Sequence, residues 1–107
     1  MKQILKINLT NNPVTKTDKK GREYVTFGGA KDIMKKNADG SFEKTGTEFY
    51  NVTAYEPAKE FAAELKKGDR VELMGFDNEV ERNGKTVHFF SMKNGKMLFR
   101  KEEKEAA

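Results

Sequence analysis

The sequence predicts an all-β domain, a five-stranded barrel with one short helix between the third and fourth strands. Three observations carry this. Apolar residues alternate at period two in several separate segments. Only one stretch, Pro57 to Lys66, repeats at helical spacing. Turn-forming residues punctuate the runs, most clearly at Thr10–Pro13, Asn37–Ser41 and Asn83-Gly84.

The first strand runs from Gln3 to Leu9, with Leu5, Ile7 and Leu9 on one face. Thr10-Asn11-Asn12-Pro13 ends it, since proline cannot donate to a ladder and asparagine favours turns. Thr15 to Arg22 carries a net charge of +3 with nothing to bury, and reads as a loop. Glu23 to Lys31 is the second strand, Val25 and Phe27 on one side, Tyr24 and Thr26 on the other. Gly28-Gly29 within it suggests a bulge or sharp coil. Asn37 to Ser41 is a further loop, and Phe42 within it has no obvious partner.

Thr47 to Tyr55 forms the third strand. Alternation puts Tyr50, Val52 and Ala54 on a core face and Phe49, Asn51, Thr53 and Tyr55 on the opposite one. Pro57 to Lys66 is the helix, its stripe made by Ala58, Phe61, Ala62 and Leu65. Pro57 suits the first turn, Lys66-Lys67 the C-terminal dipole and Gly68 the C-cap. The fourth strand spans Asp69 to Phe76, with Val71 and Leu73 inward. Asn83-Gly84 is a type I′ hairpin signal that sets Val80 opposite Val87. The fifth strand runs from about Thr86 to Met92, followed by an apolar patch at Met97–Phe99. Residues 1–100 are read as one domain and 101–107 as a short, frayed, charged tail.

Composition narrows the function. The 107 residues carry a net charge of +4, which suits a polyanionic partner. No apolar run is long enough to span a bilayer, so no membrane partner is expected, and the N-terminus has no apolar segment of a secretory signal. The expected compartment is the cytoplasm, in association with the nucleoid. The absence of cysteine removes disulfides, cysteine-based zinc sites and thiol catalysis. The single histidine, His88, has no second histidine to form a metal or nucleophile–base site, and is read as an exposed strand residue or a minor contact on the binding face. No phosphate-cradling Gly-x-x-x-x-Gly-Lys occurs. No enzyme activity, cofactor or metal is expected.

Binding is better supported. Non-specific single-strand binders stack bases on aromatic rings and track phosphates with Lys and Arg. Phe49 and Tyr55 share the face opposite the core with Asn51 and Thr53, and Tyr24 lies on the matching face of the second strand. Lys16, Lys19, Lys20 and Arg22 occupy the first loop. Lys31, Lys35, Lys36 and Lys44 flank the second, and Arg82 and Lys85 flank the hairpin tip. A strand phenylalanine is more often core, and a loop lysine is usually only solvated. The signal is their coincidence on one face framed by three basic loops. Strand, strand, strand, helix, strand, strand is also the element order of the OB-fold, whose second and third strands bind nucleic acid.

Three segments then resemble one family. Ile4-Leu5-Lys6-Ile7-Asn8-Leu9-Thr10-Asn11-Asn12-Pro13 resembles the first strand and turn of bacterial single-stranded DNA-binding proteins, approximately Ile-Leu-Val-Gly-Asn-Leu-Gly-x-Asp-Pro. Thr47-Glu48-Phe49 is similar to that family's Thr-Glu-Trp, and Tyr55 falls where its strand-three phenylalanine stands. Leu65 to Gly75 is similar to its Leu-x-Lys-Gly-x-x-Val-x-Ile-x-Gly. The likeness runs in order over roughly residues 2 to 99. It implies an OB-fold that assembles as a homo-oligomer, a tetramer or dimer. That assembly would bind single-stranded DNA without sequence preference, in replication, recombination or repair, with Phe49 and Tyr55 stacking on bases.

The sequence departs from the family in having no tryptophan, a shorter final hairpin and no acidic, Phe-terminated tail, which puts tail-mediated recruitment of repair enzymes in doubt. Stacking and phosphate contacts do not sense the 2′-hydroxyl, so RNA stays open as a ligand. The alternative reading is an OB-fold protein-interaction module of a primosome or a plasmid or phage replication complex, with DNA or RNA as co-ligand.

Overall fold

The computed structural model describes residues 2–100, so the expected tail at 101–107 lies outside the described residues. Six strands and one short helix are present: β1 (Gln3–Leu9), β2 (Val14–Thr17), β3 (Glu23–Lys36), β4 (Phe42–Ala54), α1 (Lys59–Ala63), β5 (Arg70–Arg82) and β6 (Lys85–Phe99). They form one sheet in the order β1-β5-β6-β4-β3-β2. β1 also meets β3 through Asn8↔Ala30 and Leu9↔Gly29, so the pairings return to the first strand. All pairs are antiparallel except β4 with β6.

Alternation built the interior as expected. Leu5, Ile7 and Leu9 of β1, Val25 and Phe27 of β3, Tyr50, Val52 and Ala54 of β4, and Val71 and Leu73 of β5 are buried together with Phe90 and Met92 of β6. Ala58, Ala62 and Leu65 bury the apolar side of the helical segment, and Phe61 packs against the same core. Asn83 and Gly84 both take positive φ, 52° and 76°, as a type I′ turn requires, and Val80 pairs with Val87.

Several expectations need correction. The described residues hold six strands rather than five: Val14–Thr17, within the stretch expected to be a loop, pairs with β3 from Val14↔Thr26 to Thr17↔Glu23. The helix therefore follows the fourth strand, not the third. It is also shorter than Pro57–Lys66, running from Lys59 to Ala63 with Ala58 as N-cap and Glu64 as C-cap. Lys66 and Lys67 thus lie beyond its last turn. Gly68 is no helix cap; its positive φ serves the turn into β5, where its N–H donates to the Leu9 carbonyl at 3.0 Å.

Gly28 and Gly29 form no bulge, since both stay in register opposite Asn51 and Tyr50. They are small because β1 crosses over Gly29 and the turn after β1 closes on Gly28. A Cβ on Gly29 would lie 2.2 Å from Ile7 Cδ1, and one on Gly28 would lie 2.6 Å from Thr10 Oγ1. The second to fifth strands all outrun their expected ends. β3 with β4 and β5 with β6 continue past the core as two-stranded arms, and Phe42 belongs to β4 rather than a loop. The radius of gyration, 15.5 Å, exceeds the ~13 Å of a compact 100-residue domain because these arms project. Among the described residues, no helix is long and apolar enough to cross a membrane.

Candidate nucleic-acid interface

The outer face of β3 and β4 is set by ladder register. Thr26 faces Thr53, Gly28 faces Asn51 and Ala30 faces Phe49. Phe49 is 65% exposed, whereas its neighbours Tyr50 and Val52 are 7% and 0% exposed. The ring therefore stands on the outside of the sheet, as its place in the alternation requires. A shallow groove of about 410 Å³ runs beside it, lined by Val14, Lys16, Thr26, Gly28, Phe49 and Asn51 among others. β2 forms one wall, so the strand missed in the sequence brings Lys16 next to the aromatic face. Glycine at position 28 keeps the groove floor low, and its N–H donates to Asn11 Oδ1 at 2.7 Å. Asn51 is exposed, and its Nδ2 donates to the His88 carbonyl at 3.4 Å.

A second aromatic group lies at the other end of the face. Tyr55, just past β4, is half-buried, with its ring 5.1 Å from that of Tyr24 and the Arg22 guanidinium 5.3 Å above it. The Tyr55 hydroxyl donates to Asp18 Oδ2 at 3.2 Å, and Arg22 Nε donates to the same oxygen at 3.1 Å. Asp18 Oδ1 accepts the backbone N–H groups of Lys20 and Arg22, each at 2.9 Å. The backbone N–H of Arg22 is the main reason the Asp18 carboxyl sits below its ordinary range, with Lys20, the Arg22 side chain and Tyr55 adding to it. One carboxylate thus ties the β2–β3 turn to Tyr55 and leaves Lys19 and Lys20 exposed at its tip. Tyr55 is less free than Phe49.

The remaining cations are spread along the arms. Lys35 and Lys36 are exposed near the β3–β4 tip. Arg82 and Lys85 flank the β5–β6 turn, where Arg82 lies 5.6 Å over the ring of Phe89. Phe89 is half-exposed and paired with Asn51, so it joins the Phe49 face. It was missed, although strict alternation from the buried Phe90 points it outward. Lys31 is not brought to this group. It pairs with Glu48 and lines a separate cavity with Tyr50 and Asp77.

His88 is buried, contrary to the exposed position expected for it. Its Nδ1 lies 3.0 Å from Asp77 Oδ2 and 3.7 Å from Glu79 Oε1, and its Nε2 lies 3.2 Å from Glu48 Oε2. Its ring packs 4.5 Å from Tyr50. Burial, with the Glu48 carboxylate beside it, pushes the Tyr50 hydroxyl up to about 12. This acidic group lies on the inward-facing side of the ladder, away from the basic face.

No protein-family model matches the sequence, and a search of curated proteins finds no match. Solved structures do match. A small single-stranded DNA-binding protein from Streptomyces coelicolor superimposes with a TM-score of 0.71 at 18% identity, covering 91% of each chain. A mitochondrial single-stranded DNA-binding protein from S. cerevisiae gives 0.68 at 20% identity, covering 94% of this chain and 96% of its own. A Plasmodium falciparum SSB in complex with ssDNA gives 0.63 at 18% identity, covering 94% of both chains. The chain shares the fold of these proteins.

Proposed function

We propose that the chain is a non-enzymatic single-stranded DNA-binding protein that holds its ligand across the outer face of β3 and β4 in an OB-type barrel. One observation carries this reading: Phe49 projects from the middle of that face, while its strand neighbours Tyr50 and Val52 are sealed inside. A ring held this way offers a flat apolar surface to an unpaired base, worth roughly 1–3 kcal/mol for each base stacked. Tyr55, steadied by Tyr24 and Arg22, provides a second surface. Asn51 and Thr53 between them offer hydrogen-bonding groups. Lys16, Lys19 and Lys20 would take phosphates at one border, Lys35 and Lys36 at another, and Arg82 and Lys85 at the β5–β6 tip. Lys31, turned toward the acidic side, makes a weaker contribution.

Every base has a π-face and the phosphates are uniform, so this arrangement binds without reading sequence. Supporting it, the neighbours in fold include a protein solved with single-stranded DNA bound. As in the family the sequence resembles, the chain would act as a homo-oligomer in replication, recombination or repair.

The test is the affinity for oligo-dT as a function of salt. The logarithm of the binding constant should fall with slope of about −0.7 per phosphate neutralised. An equal-length duplex should compete poorly. A flat salt response, or equal competition by the duplex, contradicts the proposal.

A further inference from the structure

Phe42 and Phe49 lie seven residues apart on one strand, so strict alternation would turn them to opposite faces. The ladder says otherwise. Pairing runs Asp32↔Thr47 and Ile33↔Gly46, then Met34↔Lys44 and Lys36↔Phe42, leaving Thr45 without a partner residue. Thr45 is a one-residue bulge, and its Oγ1 donates to the Ile33 carbonyl at 3.2 Å. Because β3 gains no extra residue there, Ala30, Asp32, Met34 and Lys36 stay on one face, opposite Phe49, Thr47, Lys44 and Phe42 respectively. The ion pair between Lys44 Nζ and Asp32 Oδ1, at 3.2 Å, requires Lys44 to project on that same side. The bulge therefore rephases β4 and returns Phe42 to the Phe49 face.

Phe42 is as exposed as Phe49, 65% in each case, and exposed Met34 lies diagonally across the ladder from it. With Asp32 matched by Lys44, Lys36 is left as the charge beside the ring. We propose that Phe42, bordered by Met34 and Lys36, is a third base-stacking subsite beside those of Phe49 and Tyr55, which carries the ligand out along the β3–β4 arm. It would take any unpaired nucleobase, with the adjoining phosphate near Lys36. This rests on the function proposed above and extends it. The six residue rises between Phe42 and Phe49, with the bulge discounted, span about 20 Å at ~3.3 Å each. Only a ligand several nucleotides long reaches both rings.

The experiment measures the affinity of Phe42→Ala, Phe49→Ala and a transposed variant, Phe42→Ser with Glu43→Phe, for oligo-dT of about 3 nucleotides, too short to reach both rings, and of about 20. Stacking of one base corresponds to roughly 5- to 150-fold in affinity. Phe42→Ala should weaken the long strand about tenfold and leave the short strand nearly unchanged, with unaltered thermal unfolding. The transposed ring projects from the other side of the ladder and should not restore binding. If Phe49→Ala weakens the long strand while Phe42→Ala does not, the subsite is absent although the function stands. If neither does, the proposed function falls as well. Recovery by the transposed ring overturns the face assignment. A change in solution mass with Phe42→Ala at unchanged affinity assigns the ring to a contact between copies and overturns the subsite.

Discussion

Replacing Phe49 with alanine should separate binding from stability. Two-thirds of the side chain is already in water, so truncation uncovers little core, and stability should change by no more than about 0.5 kcal/mol. For a domain of this size that is a shift in Tm of roughly 2–4 °C. Loss of one stacked base should cost about 1–3 kcal/mol of binding, a rise in Kd of roughly 5- to 150-fold. Anisotropy of a labelled oligo-dT at fixed salt gives the first quantity, and thermal unfolding followed by circular dichroism gives the second. The double change of Phe49 and Tyr55 to alanine should weaken binding at least about tenfold. Tyr55→Ala alone is less clean, because it also removes the contacts to Tyr24, Arg22 and Asp18. Unchanged affinity in Phe49→Ala refutes the stacking role. A large fall in Tm would instead make Phe49 a structural residue.

Phe90→Ala should behave in the opposite way. At 2% exposure it is among the largest fully buried side chains, and its loss should cost about 3–5 kcal/mol by denaturant unfolding. Gly75→Ala should destabilise through the backbone, because the added Cβ would sit 1.9 Å from the Ser91 carbonyl oxygen, which cannot rotate aside. Overpacking of this kind costs about 1–3 kcal/mol, and a variant as stable as the parent would contradict the close approach of β5 and β6. Acid stability should depend on the buried Asp69. Burial pushes its carboxyl up, but hydrogen bonds from Arg100 and from the Lys66 N–H outweigh this and hold it below its ordinary range. A depressed carboxylate stabilises the fold above its unfolded value, about 4, and loses that contribution as pH falls through the folded value. Arg100→Ala should therefore flatten the loss of stability below about pH 4 in acid titrations of Tm. An unchanged profile would remove Asp69 from the account.

Where burial drives structure, the sequence was readable. Gln3–Leu9, the inward residues of β3, β4 and β5, and the Asn83-Gly84 turn follow from period-two patterning and from the φ requirements of one turn type. β2 left no such trace, because all four of its residues are exposed and it sits at the sheet edge, paired with β3. The β3–β4 arm escaped for the same reason: Lys31 to Lys36 are all exposed, so its pairing is not written in apolar alternation. The Gly28-Gly29 pair was recognised as special, but its cause, β1 crossing overhead, comes from residues twenty positions away. His88 was misplaced because the carboxylates around it arrive from β4 and β5. On the candidate interface, Phe49, Asn51 and Thr53 were legible from alternation alone. Phe89 needed the same count applied to β6, and Lys16 reached the face only through the unseen strand.

The central claim is that the outer face of β3 and β4 is where single-stranded nucleic acid lies. Titrating oligo-dT into the isotope-labelled protein and following backbone amide resonances tests this directly. Shifts should concentrate at Thr26, Phe49, Asn51, Thr53 and the turn from Lys19 to Arg22. The β1–β5 pairs Ile4–Met74 and Lys6–Glu72 should stay still. Shifts gathered on β1 and β5 or on α1, with the Phe49 region unmoved, would contradict it.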